Sequence, residues 1–110
     1  MKTLLLFISL IFFNETKYPT YKGEGDLITF IQNNLKYPPE AKITKTEGRV
    51  FVQFVVNKSG ETTKVKVLKG IGAGCNEEAA RVTNMITWFP GEVDGKIADV
   101  EMVLPFDFKL

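Results

Sequence analysis

Histidine is absent from this sequence, and Cys75 is its single cysteine. The usual zinc sites combine several Cys and His side chains, and Ser-His or Cys-His nucleophile pairs need a histidine. A lone cysteine cannot form a disulfide within the chain. These absences exclude the usual zinc sites, an internal disulfide and most familiar catalytic schemes, so we expect neither an enzyme nor a bound cofactor.

An excess of charge of either sign is also missing, because 14 Lys and Arg residues are balanced by 13 Asp and Glu residues. Proteins that neutralise nucleic-acid phosphates usually carry a strongly basic face. Nucleic acid is therefore not an expected partner. The 110 residues allow one domain, and they contain neither a low-complexity linker nor an internal repeat.

The chain begins with a short apolar run. Lys2 is followed by "TLLLFISLIFF" and then by the polar residues "NETK". A basic residue before such a run is typical of a secretory signal, whereas a membrane-spanning helix needs about 20 apolar residues. We interpret residues 1–13 as a signal peptide that is removed on export; an uncleaved membrane anchor and a core segment are the alternatives.

Two helices and a hairpin are predicted from the periodicity of apolar residues. In "GDLITFIQNNL" one helical face is apolar, Asp26 is placed to cap the helix, and Pro38-Pro39 ends it. The members of that face are Leu27, Ile28, Phe30, Ile31 and Leu35. "GRVFVQFVVNKSGETTKVKVLK" predicts two strands joined by a turn at Gly60. "CNEEAARVTNMI" predicts the second helix, capped by Cys75 or Asn76.

The last residues, "VEMVLPFDFKL", alternate like a strand with one buried face, yet Pro105 lies in the middle. Proline has no N–H for the ladder, so a strand with an internal proline is normally an edge strand. The element order therefore predicts an α+β fold, a two-layer sandwich in which two helices pack on one face of a three-stranded antiparallel sheet.

Several segments, in this order and at these distances, resemble the C-terminal domain of TonB in the form common among Bacteroidetes. They are "NLKYPPEAK", "EGRVFVQFVVNKSGETTKVKVLKGIGAGCNEEAARV", "WFPGEVDGK" and "VLPFDFKL", and the resemblance covers residues 18–110. TonB joins an inner-membrane motor to outer-membrane receptors that import nutrients. Its C-terminal domain captures a short receptor segment, the TonB box, as an added strand.

The resemblance implies a periplasmic binding module of TonB-dependent transport. An outer-membrane TonB-dependent receptor is the expected partner, together with a separate inner-membrane motor or anchor protein. Only "NETK" lies between the apolar run and the domain, and four residues reach about 15 Å when extended. We therefore expect a stand-alone periplasmic module, a partner of an anchored protein or a truncated gene product.

The predicted site is the open edge of the last strand. Pro105 has no N–H to offer to the neighbouring strand, so we expect its backbone groups to point away from that strand, toward the open edge. The backbone groups of every second residue then point the same way, and the predicted outward set is Glu101, Val103, Pro105, Asp107 and Lys109. By resemblance, Lys36, Tyr37 and Pro38 lie close to the captured strand. The alternative is a structural or regulatory interaction domain that forms a homodimer through this edge or pairs with a membrane sensor protein.

Overall fold

The computed structural model describes residues 15–110, so the predicted signal peptide, residues 1–13, lies outside the described residues. The helices are α1 (Leu27–Asn34), α2 (Pro39–Ile43) and α3 (Cys75–Asn84). The strands are β1 (Thr16–Lys17), β2 (Thr20–Tyr21), β3 (Gly48–Val56), β4 (Thr62–Lys69), β5 (Trp88–Phe89), β6 (Glu92–Val93), β7 (Lys96–Ile97) and β8 (Val100–Phe108).

The main sheet is antiparallel and has the order β4-β3-β8, which makes β3 the central strand. Alternate β3 side chains are fully buried, and they are Val50, Val52, Phe54 and Val56. In the turn after β3, the Gly60 amide donates to the Asn57 carbonyl at 2.9 Å, and Gly60 has a φ of 82°. A Cβ at Gly60 would lie 2.0 Å from the Trp88 carbonyl oxygen, so only glycine fits this position.

Helix α1 begins as predicted, because the Asp26 carboxylate accepts a hydrogen bond from the Thr29 amide at 2.7 Å. Four of the five predicted apolar residues pack against the core clusters: Leu27, Phe30, Ile31 and Leu35. Ile28, the fifth member of that apolar face, is instead 69% exposed. Ile28 lies beside the β8 edge of the sheet, near Pro105 and Asp107, and no strand within residues 15–110 covers it.

Helix α2 was not predicted. Pro39 occupies the first turn of α2. The N–H groups of a first turn have no partner within the helix, so a proline, which has no N–H, is tolerated there and can start a helix as well as end one. The mixed α+β fold with antiparallel sheets is confirmed. Since residues 15–110 contain three helices and five additional two-residue strands, the predicted two-helix, three-strand sandwich is not confirmed in that form.

The cap predicted for α3 was also wrong. Gly74, with a φ of 86°, occupies the N-cap position, and neither Cys75 nor Asn76 caps the helix. The Asn76 side-chain oxygen instead accepts from the amides of Ile71, at 2.9 Å, and Gly72, at 3.2 Å. Asn76 therefore fixes the loop before the helix.

Two apolar clusters hold the helices on the sheet. The first joins α3 to the sheet through its fully buried members Ala79 and Val82. The second contains Phe54 and Trp88, whose rings stack with centroids 5.6 Å apart. No helix within residues 15–110 is long and apolar enough to cross a membrane.

Candidate functional site

Strand β8 is an edge strand, as its internal proline predicted. It pairs with β3 over nine residues without a register shift, from Gly48 opposite Phe108 to Val56 opposite Val100. Its other side has no partner strand among residues 15–110. In the described part of the chain, the outer edge of β8 is therefore unpaired with any strand along its whole length.

The register indicates which β8 backbone groups point outward. Pro105 lies opposite Phe51. In an antiparallel pair, hydrogen-bonded and non-bonded residue pairs alternate, and a residue without an N–H belongs to a non-bonded pair. The same parity applies to Glu101, Val103 and Asp107, whose backbone groups then face the open edge.

The side chains of β8 follow the same alternation. Val100, Phe106 and Phe108 are buried toward the helices, whereas Val103 is 48% exposed on the opposite face. Lys109, the last member of the predicted outward set, lies one residue beyond the end of β8.

Asp107 forms an ion pair with Arg49, the residue opposite it on β3. The distances are 2.6 Å from Arg49 Nε to Asp107 Oδ1 and 3.3 Å from Nη2 to Oδ2. This hydrogen bonding lowers the pKa of Asp107 and raises that of Arg49. The carboxylate therefore stays ionised, and its charge is balanced by a neighbour within the sheet.

The opposite edge of the sheet, β4, is irregular. Its register with β3 shifts at two points, and Lys64 adopts a φ of 52°, which is unusual for a residue other than glycine. Lys64, Lys66 and Lys69 are exposed along this strand. Bulges and lysines are common features of edges that do not pair with other chains, so the two edges of the sheet differ in kind.

A groove of about 350 Å³ runs between α1 and β8 beside the open edge. Its lining consists of Ile28, Ile31, Gln32, Leu35, Pro105, Phe106 and Asp107. Asp107 is the one charged residue in this lining, and Arg49 balances its charge. The groove is therefore mostly apolar and lies where the side chains of a further strand would reach.

Tyr37 lies at the end of β8, where its ring meets that of Phe108 edge-on at 5.7 Å between centroids. Its hydroxyl donates a hydrogen bond to the Thr46 carbonyl. Burial, with a smaller contribution from the charge of Glu47, raises the pKa of Tyr37. Tyr37 thus packs against the strand end and stays a neutral phenol.

Lys36, Tyr37 and Pro38 line a second cleft, of about 700 Å³, between the loop before α2 and the start of α3. The Lys36 amide donates to Glu78 Oε2 at 2.6 Å. The lining of this cleft is distinct from that of the groove at the edge. The structure therefore brings Glu101, Val103, Pro105 and Asp107 together on one edge, and it places Lys36 and Pro38 in a separate cleft. Tyr37 belongs to both places, because it lines this cleft and its ring contacts Phe108 at the end of β8.

Residues of the groove were missed from the sequence, above all Ile28 and Gln32. The one sequence feature that could have indicated the groove is the apolar face of the first helix, which has five residues and is wider than the two-position seam of a coiled coil. That width gave no indication that the sheet would end beneath it.

The described residues also offer little for covalent or metal chemistry. Cys75 is fully buried, and burial followed by the charge of Glu77 raises the pKa of its thiol, so it is not activated as a nucleophile. No three His, Cys, Asp or Glu side chains within residues 15–110 are grouped as a metal site.

The fold and this edge define a small α+β domain whose main sheet has one irregular edge, β4, and one regular edge, β8. The family model described as Gram-negative bacterial TonB protein C-terminal matches residues 33–110, and the chain belongs to that family. Domains of this family are interaction modules of TonB-dependent transport; they act in the periplasm and contact outer-membrane receptors. The domain boundary predicted at residue 18 stays a prediction.

Two solved structures support the assignment. A solution structure of the Helicobacter pylori TonB C-terminal domain is 26% identical, with a TM-score of 0.58 and coverage of 76% of each chain. A shorter fragment of that domain is 28% identical, with a TM-score of 0.50 and coverage of 74% of this chain and 86% of the fragment. No curated protein matches the chain.

Proposed function

We propose that this protein captures an extended segment of an outer-membrane receptor, the TonB box, as a fourth strand on the open edge of β8. The main-chain groups of β8 supply the affinity, and the side chains beside the edge select the partner. The module acts by binding and carries out no reaction of its own. The observation that carries this proposal is the uninterrupted nine-residue edge of β8.

The difference between the two sheet edges supports the choice of β8. An added strand needs a regular row of donors and acceptors, and the register of β8 has no shift. The bulges and exposed lysines of β4 disturb such a row. Tyr37, by packing on Phe108, supports the end of the proposed docking strand, while Lys36 is available for charge selection from the neighbouring cleft.

We also propose that the protein is exported to the periplasm by residues 1–13. The lysine followed by a short apolar run motivates this proposal, and the periplasm is where domains of the family act. Cell fractionation tests it, and recovery of the intact chain from the cytoplasm would refute it.

The test is binding of synthetic ten-residue peptides from the periplasmic N-terminal segments of outer-membrane receptors to the full chain in mild detergent. Val103→Pro removes an outward-facing N–H at the parity that already tolerates Pro105. We expect about tenfold weaker binding, because one main-chain bond is lost and the proline ring obstructs the added strand.

Val103→Thr is the matched control, since it keeps the β-branched shape and the N–H. It should bind like the wild type. The melting temperature of each variant, measured without peptide, establishes that the fold is intact. Equal peptide affinity for wild type and folded Val103→Pro would rule out capture at this edge.

The same open edge could also pair with the β8 edge of a second copy, because an unpaired edge strand offers backbone donors and acceptors to another strand. A homodimer through β8 would lose its contacts in Val103→Pro as well. Sedimentation of the wild type without peptide distinguishes the two candidates: a monomer favours receptor capture, and a dimer that Val103→Pro dissociates favours self-association.

A further inference from the structure

We infer that the groove between α1 and β8 is a side-chain pocket that selects one uncharged apolar residue of the captured strand. This inference rests on the proposed function, because the pocket is complete only when a fourth strand lies on β8.

The apolar face of α1 is wider than the sheet beneath it. Leu27 and Phe30 pack on the core clusters, whereas Ile28 is 69% exposed. On an α-helix, residues seven apart share a face, so Ile28 lies almost in line with Leu35, which does contact the core. Ile28 therefore points toward the sheet layer at a place where the sheet has already ended. A fourth strand is what would cover it.

The pleat determines which guest residue enters the groove. Phe106 is 1% exposed, faces the helices and lines the groove. Directly opposite residues on neighbouring strands have their side chains on the same face. The guest residue opposite Phe106 therefore points toward Ile28 and Ile31, whichever way the added strand runs. The guest residues before and after it point to the opposite face, beside Pro105 and Asp107.

The lining defines the chemistry of that residue. Helix α1 has no charged side chain from Leu27 to Asn34, and the charge of Asp107 is balanced by Arg49 at 2.6 Å. A charged guest side chain would lose water without gaining a partner, which is unfavourable. A Leu, Ile, Val or Met side chain would bury its own apolar surface and that of Ile28 together. The pocket therefore favours an aliphatic residue at one position of an otherwise variable segment.

The experiment uses the same receptor peptides and the full chain in mild detergent. The peptide that binds most tightly is replaced by alanine at each position in turn, and each form is titrated against wild type and Ile28→Ser by fluorescence anisotropy. Ile43→Ser is the matched control, since Ile43 is 82% exposed on α2 and does not line the groove. Val103→Pro serves as the variant that blocks the edge.

We expect Ile28→Ser to weaken binding about tenfold, while Ile43→Ser leaves it unchanged. One peptide position should be sensitive to alanine on the wild type and much less so on Ile28→Ser, because both replacements remove the same contact. An aspartate at that position should abolish measurable binding.

The outcomes separate this inference from the proposed function. If Ile28→Ser behaves like Ile43→Ser while Val103→Pro weakens binding, the edge captures a strand but the groove does not select it. If Ile28→Ser weakens all peptides equally, whatever residue they carry, selection at this groove is wrong. If Val103→Pro has no effect, strand capture itself fails, and the pocket inference fails with it.

Discussion

At the scale of single residues, Glu78 joins parts of the chain that are distant in sequence. Its carboxylate accepts from Arg81 Nε at 2.7 Å, from Arg81 Nη2 at 2.8 Å and from the Lys36 amide at 2.6 Å. Arg81 Nη2 also donates to the Asn34 carbonyl at 2.9 Å. Because the Glu78 side chain is 12% exposed, these bonds fix the end of α1 and the loop before Tyr37 against α3.

We predict that Glu78→Gln lowers the free energy of unfolding by about 1–2 kcal/mol, since a neutral amide accepts more weakly and turns a donor toward Arg81. Urea unfolding at pH 7 measures the loss. The control is Glu77→Gln, which makes the same charge change in the same helical turn without those bonds. An equal loss in both variants would mean that the effect is general helix electrostatics.

The difference between wild type and Glu78→Gln should depend on pH. Hydrogen bonds from Arg81, and then from the Lys36 amide, lower the pKa of Glu78 in the folded state. A lowered folded pKa means that the stabilisation is complete above the unfolded pKa, about 4.3, and disappears as the pH falls through the folded value. Unfolding curves of the two proteins should converge in acid; a constant difference down to pH 2 would contradict the assignment.

At the scale of elements, the two isoleucines of α1 have different roles. Ile31 packs against the core cluster that contains Phe106, whereas Ile28 is exposed beside the groove. Both line the groove, and the two isoleucines differ in their contribution to the stability of the unliganded fold. Ile31 is expected to stabilise the fold as well as line the groove, whereas Ile28 is expected to contribute little to the stability of the unliganded protein.

We predict that Ile31→Ala lowers the free energy of unfolding by about 2 kcal/mol, at the low end for a buried isoleucine because Ile31 is only partly buried. Ile28→Ala should change it by no more than about 0.5 kcal/mol. Thermal unfolding of the unliganded proteins measures both. An unchanged melting temperature in Ile31→Ala would remove Ile31 from the core.

The long elements were predictable because their periodicity repeats over many residues. β3 and β8 alternate through nine residues each, and the proline of β8 correctly indicated an edge. Strands of two residues, such as β1 and β6, offer no periodicity, and their pairing is set by distant parts of the chain. The bulge at Lys64 has no sequence signal either, because lysine rarely adopts a positive φ.

For a similar reason, the sequence predicted the edge strand of the candidate site but not the groove beside it. The edge follows from alternation and one proline, both local features. The groove depends on how far α1 extends past the last strand, which is set by packing between elements far apart in the chain. The sequence therefore identified Ile28 only as a member of an apolar helix face, and its exposure is a property of the assembled domain.

At the scale of the whole molecule, the segment before α1 is joined to the segment that leads into β8. The Asp94 amide donates to the Glu15 carbonyl at 2.8 Å, and the Lys22 amide donates to the Thr87 carbonyl at 3.0 Å. The same two segments are also joined by two short strand pairs, β1 with β6 and β2 with β5. These pairs of two residues have far fewer bonds than the nine-residue β3–β8 ladder, so they are expected to open more easily.

Gly91 keeps this segment in place. It is buried, and a Cβ there would lie 2.6 Å from the Lys17 carbonyl oxygen and 2.8 Å from Val100 Cγ2. We predict that Gly91→Ala displaces residues 15–22 and speeds hydrogen exchange of the Lys22 and Asp94 amides about tenfold, while the amides of β3 stay protected. In the control Gly95→Asn, the added Cβ meets nothing within 4 Å and asparagine tolerates the φ of 81°. Unchanged exchange at Lys22 and Asp94 in Gly91→Ala, or equal acceleration throughout β3, would show that the two parts of the domain do not separate in this way.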